Sequence, residues 1–147
     1  MTNIDTKNPE KNMKILWFAL TFSLCIMVGV VFVLSRNWEN NSLSLVFSGQ
    51  QDFFFRIIFF IALFLSGLSL SIAYFFSKNF VKANLNAAFF QIKILQWALS
   101  ESVTMLGFIV CFLTQNFYYI FPFFTLSLVL NVYHFPNLEK FKNFYSR

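Results

Sequence analysis

Four runs of apolar residues, each about as long as a bilayer is thick, limit what this chain can fold into. They cover residues 15–35, 57–76, 94–113 and 117–135, each close to the ~20 residues that a helix needs to cross a ~30 Å hydrocarbon core. Inside lipid a helix satisfies every backbone amide and carbonyl within its own segment, so runs of this length are read as helices. The expectation is an all-α integral membrane protein, with four transmembrane helices in an antiparallel bundle. It forms one membrane domain over residues 1–147, with a polar N-terminal tail at 1–14 and a basic C-terminal tail at 136–147. Composition argues against a water-soluble alternative, because 58% hydrophobic residues against 12% charged, with 24 Phe, leave too little polar surface to clothe a soluble domain. The longest outer stretch, roughly Arg36 to Asp52, is too short to bury a core of its own.

The net charge of +5 does not form one patch, so no nucleic-acid partner is expected; the cations sit at the ends of the runs. Lys7, Lys11 and Lys14 precede the first run, Lys78, Lys82 and Lys93 surround the second connection, and Lys140, Lys142 and Arg147 follow the fourth. Only Arg36 and Arg56 fall on the other side. By the positive-inside rule both termini are cytoplasmic and the protein is a multi-pass protein of the cell's inner (cytoplasmic) membrane. Ser35-Arg36-Asn37 after the first run offers no small-residue cleavage site, so that run is read as a retained anchor. Cys25 and Cys111 lie inside runs one and three with no CxxC spacing, and read as small buried apolar side chains.

Residues 14–37 and 93–116 share nine of 24 positions at a shift of 79, which is compatible with an internal duplication and sets Phe22 in the place of Glu101. Thr114-Gln115-Asn116 is the only link between runs three and four, and so short a link forces an antiparallel hairpin. Pro122 falls in the first turns of the fourth helix, where a missing N–H costs least. After the breaker Pro136, Leu138, Phe141, Phe144 and Tyr145 recur at helical spacing among basic residues; the pattern suits an amphipathic segment on the inner leaflet, with a disordered tail as the alternative. His134 with Asn131 and Tyr133, and Gln91, Gln96 and Trp97, read as interfacial anchors, and Arg56 as a snorkelling cation.

Glu101 is the only acidic residue in any run. Eight residues in from Ile94, it lies roughly 12 Å below the edge of the hydrocarbon, near the midplane. An ionised carboxylate there costs on the order of 2.5–3.5 kcal/mol, so it is expected to be protonated, hydrogen-bonded or both. Counting inward along the second run puts Ser69 at the same depth, within Gly67, Ser69, Ser71 and Ala73, small residues at every second position. Ser100, Thr104, Gly107 and Cys111 make a second small stripe at 4-3-4 spacing. Both suit close helix packing.

Runs two and three with the loop between them resemble the helical hairpin of the proteolipid c subunits of rotary ATPases. In that family a GxGxGxG helix precedes one with an ion-carrying acid in a context such as ALxExxxxxGxxV. Here Ala98-Leu99-Ser100-Glu101 is followed by Gly107 and Val110, and the glycine stripe is matched by Gly67, Ser69, Ser71 and Ala73, with Gly67 34 positions before Glu101. The likeness spans about 50 residues of 147. Three stripe glycines are replaced, the family's polar turn gives way to Ser77-Lys78-Asn79-Phe80, and two further helices flank the hairpin. The resemblance implies a c-like membrane subunit that oligomerises in the bilayer and binds a proton at Glu101, helped by Ser69, Ser102 or Thr104. Gly67, Ser69, Ser71, Ala73, Ser100 and Gly107 would serve helix packing. Sodium is disfavoured, because Leu68 and Leu106 stand where sodium-binding members place further oxygens.

The alternative is a non-transporting structural or accessory membrane protein whose buried Glu specifies helix packing. Expected partners are the lipid bilayer, copies of the same chain and other membrane subunits. No cofactor, no metal and no independent catalytic activity are expected, since one intramembrane acid stands alone, without a metal-ligand cluster or a phosphate loop.

Overall fold

A computed structural model describes residues 9–36, 38, 51–75 and 85–146. The described residues are all helix and short turns, with no strand. The helices are α1 (Pro9–Ser35), α2 (Gln51–Phe75), α3 (Leu85–Thr114), a 3-10 turn (Phe117–Tyr119), α4 (Ile120–Tyr133) and α5 (Leu138–Ser146). Lys7, Lys78, Lys82 and Arg147, most of the 36–52 stretch and the Ser77–Phe80 loop lie outside the described residues.

The three long helices overrun the apolar runs because helix geometry continues where hydropathy falls. The 30 residues of α3 span about 45 Å, and its first turns, ahead of Ile94, pack Ala88, Phe89 and Ile92 against Met13 and Phe141. The fourth run is not one helix over 117–135. Asn116 Oδ1 accepts from the Tyr118 amide at 3.0 Å, which starts a 3-10 turn, and only then does the α-helix begin. Pro122 is the third residue of α4, where the amides have no intrahelical acceptor to lose. His134 caps the far end, and Pro136 lies in the break before α5, bent 77° from the preceding segment. Asn137 Oδ1 caps α5 through the Lys140 amide at 2.9 Å.

Between α3 and the 3-10 turn the chain reverses in a two-residue link, with Gln115 at a positive φ of 52°. Contacts along the bundle fix the directions. Phe55 meets Tyr119 and Phe123 at one end of the bundle, and Ser69 meets His134 at the other, so α2 and α4 run alike. Ser100 meets Ser127, and Cys111 clusters with Ile120, so α3 runs against α4. Ser23 meets Glu101, and Val31 clusters with Cys111, so α1 runs with α3. α3 is central and touches every other helix.

Polarity is distributed opposite to that of a water-soluble fold. Ser69, Gln96, Ser100, Thr104, Ser127, Asn131 and His134 are buried, whereas Phe18 (67%), Phe60 (70%) and Phe64 (67%) are exposed. In water those rings would associate, and in lipid they are solvated. Three helices, α1 to α3, are long and apolar enough to cross a membrane, and four segments are if the bent α4–α5 pair counts as one broken span. This makes the chain a membrane-spanning protein by length and composition.

Candidate functional site

Glu101 stands on the flank of α3, half-buried, one helical step from the buried stripe. The Ser23 hydroxyl of α1 lies 3.2 Å from its Oε1. The same hydroxyl donates to the Leu20 carbonyl at 2.7 Å. Among the described residues Glu101 has no ion-pair partner, the one such pair being Lys14 with Glu10. An acid at the middle of a long apolar helix thus meets one hydroxyl and remains partly open on the side of the bundle.

The other residues singled out for ion binding are not brought to it. Ser69 is fully buried on the opposite side of α3, donating to the Gln96 carbonyl at 3.0 Å and lying 2.9 Å from His134 Nε2. Depth alone matched Ser69 to Glu101, but rotation about the helix axis separates them. Ser102 donates to the Ala98 carbonyl of its own helix at 2.8 Å. Thr104 is buried with no partner for its Oγ1.

The every-second stripe on α2 also divides. Residues two apart lie about 200° apart on a helix, so they cannot share a face. Ser69 is buried and Ala73 packs on the inner cluster, while Gly67 points outward with open space beside it. Ser71 bonds back to the Gly67 carbonyl at 2.8 Å. Gly67 is therefore not a packing residue within the bundle.

The 4-3-4 stripe of α3 does have helical period, and α4 occupies it. A Cβ on Gly107 would stand 2.6 Å from Phe123 Cβ. Ser100 Oγ donates to the Ser127 carbonyl at 2.9 Å, and Ser127 Oγ donates to the Ser100 carbonyl at 2.7 Å, a reciprocal clasp that needs small residues on both sides. Cys111 is buried there, as expected for a small apolar side chain, whereas Cys25 is exposed on α1.

A second polar centre lies where α2, α3 and α4 converge near the α5 end, and the sequence reading placed its members elsewhere. His134 is buried rather than an interfacial anchor, and Gln96 is buried rather than part of a belt. With the Ser69 hydrogen given to Gln96 O, the His134 Nε2–H donates to Ser69 Oγ, which leaves no donor idle. Lys93 is half-buried within α3 and donates to the His134 carbonyl at 3.2 Å, so it is not a free loop cation. Trp17 Nε1 ties α1 to the Asn131 carbonyl at 2.9 Å. Asn131 keeps both side-chain polar atoms without a partner, and Gln96 keeps its Oε1 without one. A cavity of about 520 Å³ adjoins this centre, with Lys93, Gln96, His134 and Lys140 in its wall.

The signal for this centre was present as spacing. Lys93, Gln96, Ser100 and Thr104 on α3, and Ser127, Asn131 and His134 on α4, recur at three and four residues inside apolar helices, which marks an interior face. Among the described residues no three His, Cys, Asp or Glu side chains come together to hold a metal ion.

The fold and these two centres define an all-helical bundle whose long helices are apolar enough to cross a membrane, with polar side chains buried among apolar clusters. Comparison with family models, curated proteins and solved structures finds no match. The c-subunit resemblance therefore rests on the residues of α2 and α3.

Proposed function

We propose that this chain is a small membrane subunit that binds a proton at Glu101 on the lateral face of its bundle, and associates there with a second copy or another membrane subunit. The observation that carries the reading is the Glu101–Ser23 contact: a carboxyl midway along a long apolar helix, with one hydroxyl neighbour and part of its surface open. A fully enclosed acid would be a permanent clasp, whereas one at the side of the bundle can exchange with whatever docks there. The distribution of cations supports the membrane placement. Lys14 stands 5.9 Å from the Phe135 ring, Lys93 meets His134, and Lys140 and Lys142 follow on α5, all at one end, with Arg36 and Arg56 toward the other. The positive-inside rule then turns both termini to the cytoplasm and the multi-pass bundle to an inner membrane.

A carbodiimide that attacks protonated carboxyls in lipid tests the site. Glu101 is expected to be labelled in the folded protein, less at higher pH, and Glu101→Gln is expected to abolish labelling. No labelling at any pH overturns the proton site. One observation favours the second reading, a non-transporting accessory protein in which Glu101 directs helix packing. The small stripe of α3 that flanks Glu101, and that could seat it against a neighbour, is filled by Phe123 of the same chain. Under that reading Glu101→Gln leaves association in detergent intact and Glu101→Leu disrupts it.

A further inference from the structure

The cavity at the α5 end holds a combination that no single helix supplies. Two lysines, Lys93 from α3 and Lys140 from α5, stand in its wall with no acidic residue among the lining groups. Lys93 spends one N–H on the His134 carbonyl and has two left. Gln96, 4% exposed, contributes to the same wall, with its Oε1 sealed away from the cavity. The remaining wall is largely apolar, with Leu70, Ile92 and Phe141, and α5 forms one side. Its volume of about 520 Å³ lies in the ~300–1,000 Å³ range of small-molecule sites.

Cations facing no acid call for an anion. Apolar walls call for hydrocarbon. One molecule class carries both. We propose that this cavity binds an anionic glycerophospholipid, with its phosphate on Lys93 and Lys140 and its chains along the apolar wall. Basic pockets between membrane helices at the cytoplasmic level recognise such headgroups by this chemistry. The inference rests on the membrane placement proposed above and is independent of Glu101.

The test is retention of lipid by the purified full chain, read by native mass spectrometry, with phosphatidylglycerol and phosphatidylcholine of equal chain length. Phosphatidylglycerol is expected to bind the tighter of the two. Lys93→Gln and Lys140→Gln are each expected to weaken phosphatidylglycerol about fivefold. Lys140 is exposed on α5, so its substitution leaves the fold in place even if Lys93→Gln does not. Equal retention of phosphatidylglycerol and phosphatidylcholine, or no response to Lys140→Gln, overturns the site. Soluble glycerophosphoglycerol binding as tightly as the whole lipid overturns the lipid assignment in favour of a water-soluble phosphate ester. Glu101→Gln is expected to leave retention unchanged, which separates this outcome from that of the proton site.

Discussion

A hydroxyl has one hydrogen, and the Ser23 hydroxyl has two acceptors in reach, the Leu20 carbonyl at 2.7 Å and Glu101 Oε1 at 3.2 Å. The nearer carbonyl takes the larger share, and Glu101 Oε1 accepts the longer, weaker bond from the same hydroxyl. Glu101 and Ser23 should then be energetically coupled. A double-mutant cycle with Ser23→Ala and Glu101→Gln, followed by unfolding in mixed micelles, is expected to give about 0.6 kcal/mol and no more than about 1.7; zero coupling would dissolve the contact. Gln115 makes a second residue-scale case. It holds φ at 52° in the α3–α4 reversal, and its Oε1 is buried without a partner. Glycine visits that region without steric penalty, so Gln115→Gly is expected to stabilise by about 0.5–1 kcal/mol after glycine's own entropy cost. A loss of stability would show that the side chain contributes something its contacts do not reveal.

Two glycines at the scale of the helix separate packing from patterning. On Gly107 the added Cβ would meet Phe123 Cβ, an atom fixed to the α4 backbone, so a rotamer change gives no relief and the helices must part. Gly107→Ala is expected to cost about 1–3 kcal/mol despite alanine's better helix propensity. Gly67 has open space around it, and Gly67→Ala is expected to gain about 0.5–1 kcal/mol. Thermal unfolding in detergent separates the two, and a similar response from both would mean that α3 and α4 are not in close contact. The same pair shows what was legible in the sequence. Apolar run length carried α1, α2 and α3, because transfer of a continuous span to lipid dominates its local energetics. It could not reveal the broken fourth span, which depends on a cap from Asn116 and a missing amide at Pro136. Matching residues by depth used one coordinate of a helix and ignored rotation, which is how Ser69 was set beside Glu101 and Gly67 beside Ala73. The polar stripe through Lys93, Gln96 and Ser100 has the correct period, and its burial follows from that period once the surroundings are lipid.

Among the described residues, serine, threonine and amide side chains are buried beside Phe89, Trp97 and Phe123 while Phe18, Phe60 and Phe64 face outward, and the charges add a direction. Lys11 and Lys14 at the start of α1, Lys93 in the early turns of α3, and Lys140 and Lys142 on α5 share one end, because α1 and α3 run alike and α4 returns to meet them at His134. Arg36, over the Phe32 ring at 5.3 Å, marks the other end. The orientation proposed above keeps the lysines on the cytoplasmic side, and under it Arg36 is expected outside. Single cysteines report this directly once Cys25, which is exposed, is replaced by serine and Cys111 is left buried. A membrane-impermeant maleimide is expected to label Arg36→Cys in intact cells or spheroplasts and to reach Lys142→Cys only after the membrane is opened. Labelling of Lys142→Cys from outside would invert the bundle, moving the lysine-lined cavity to the outer leaflet while leaving every helix contact as it stands.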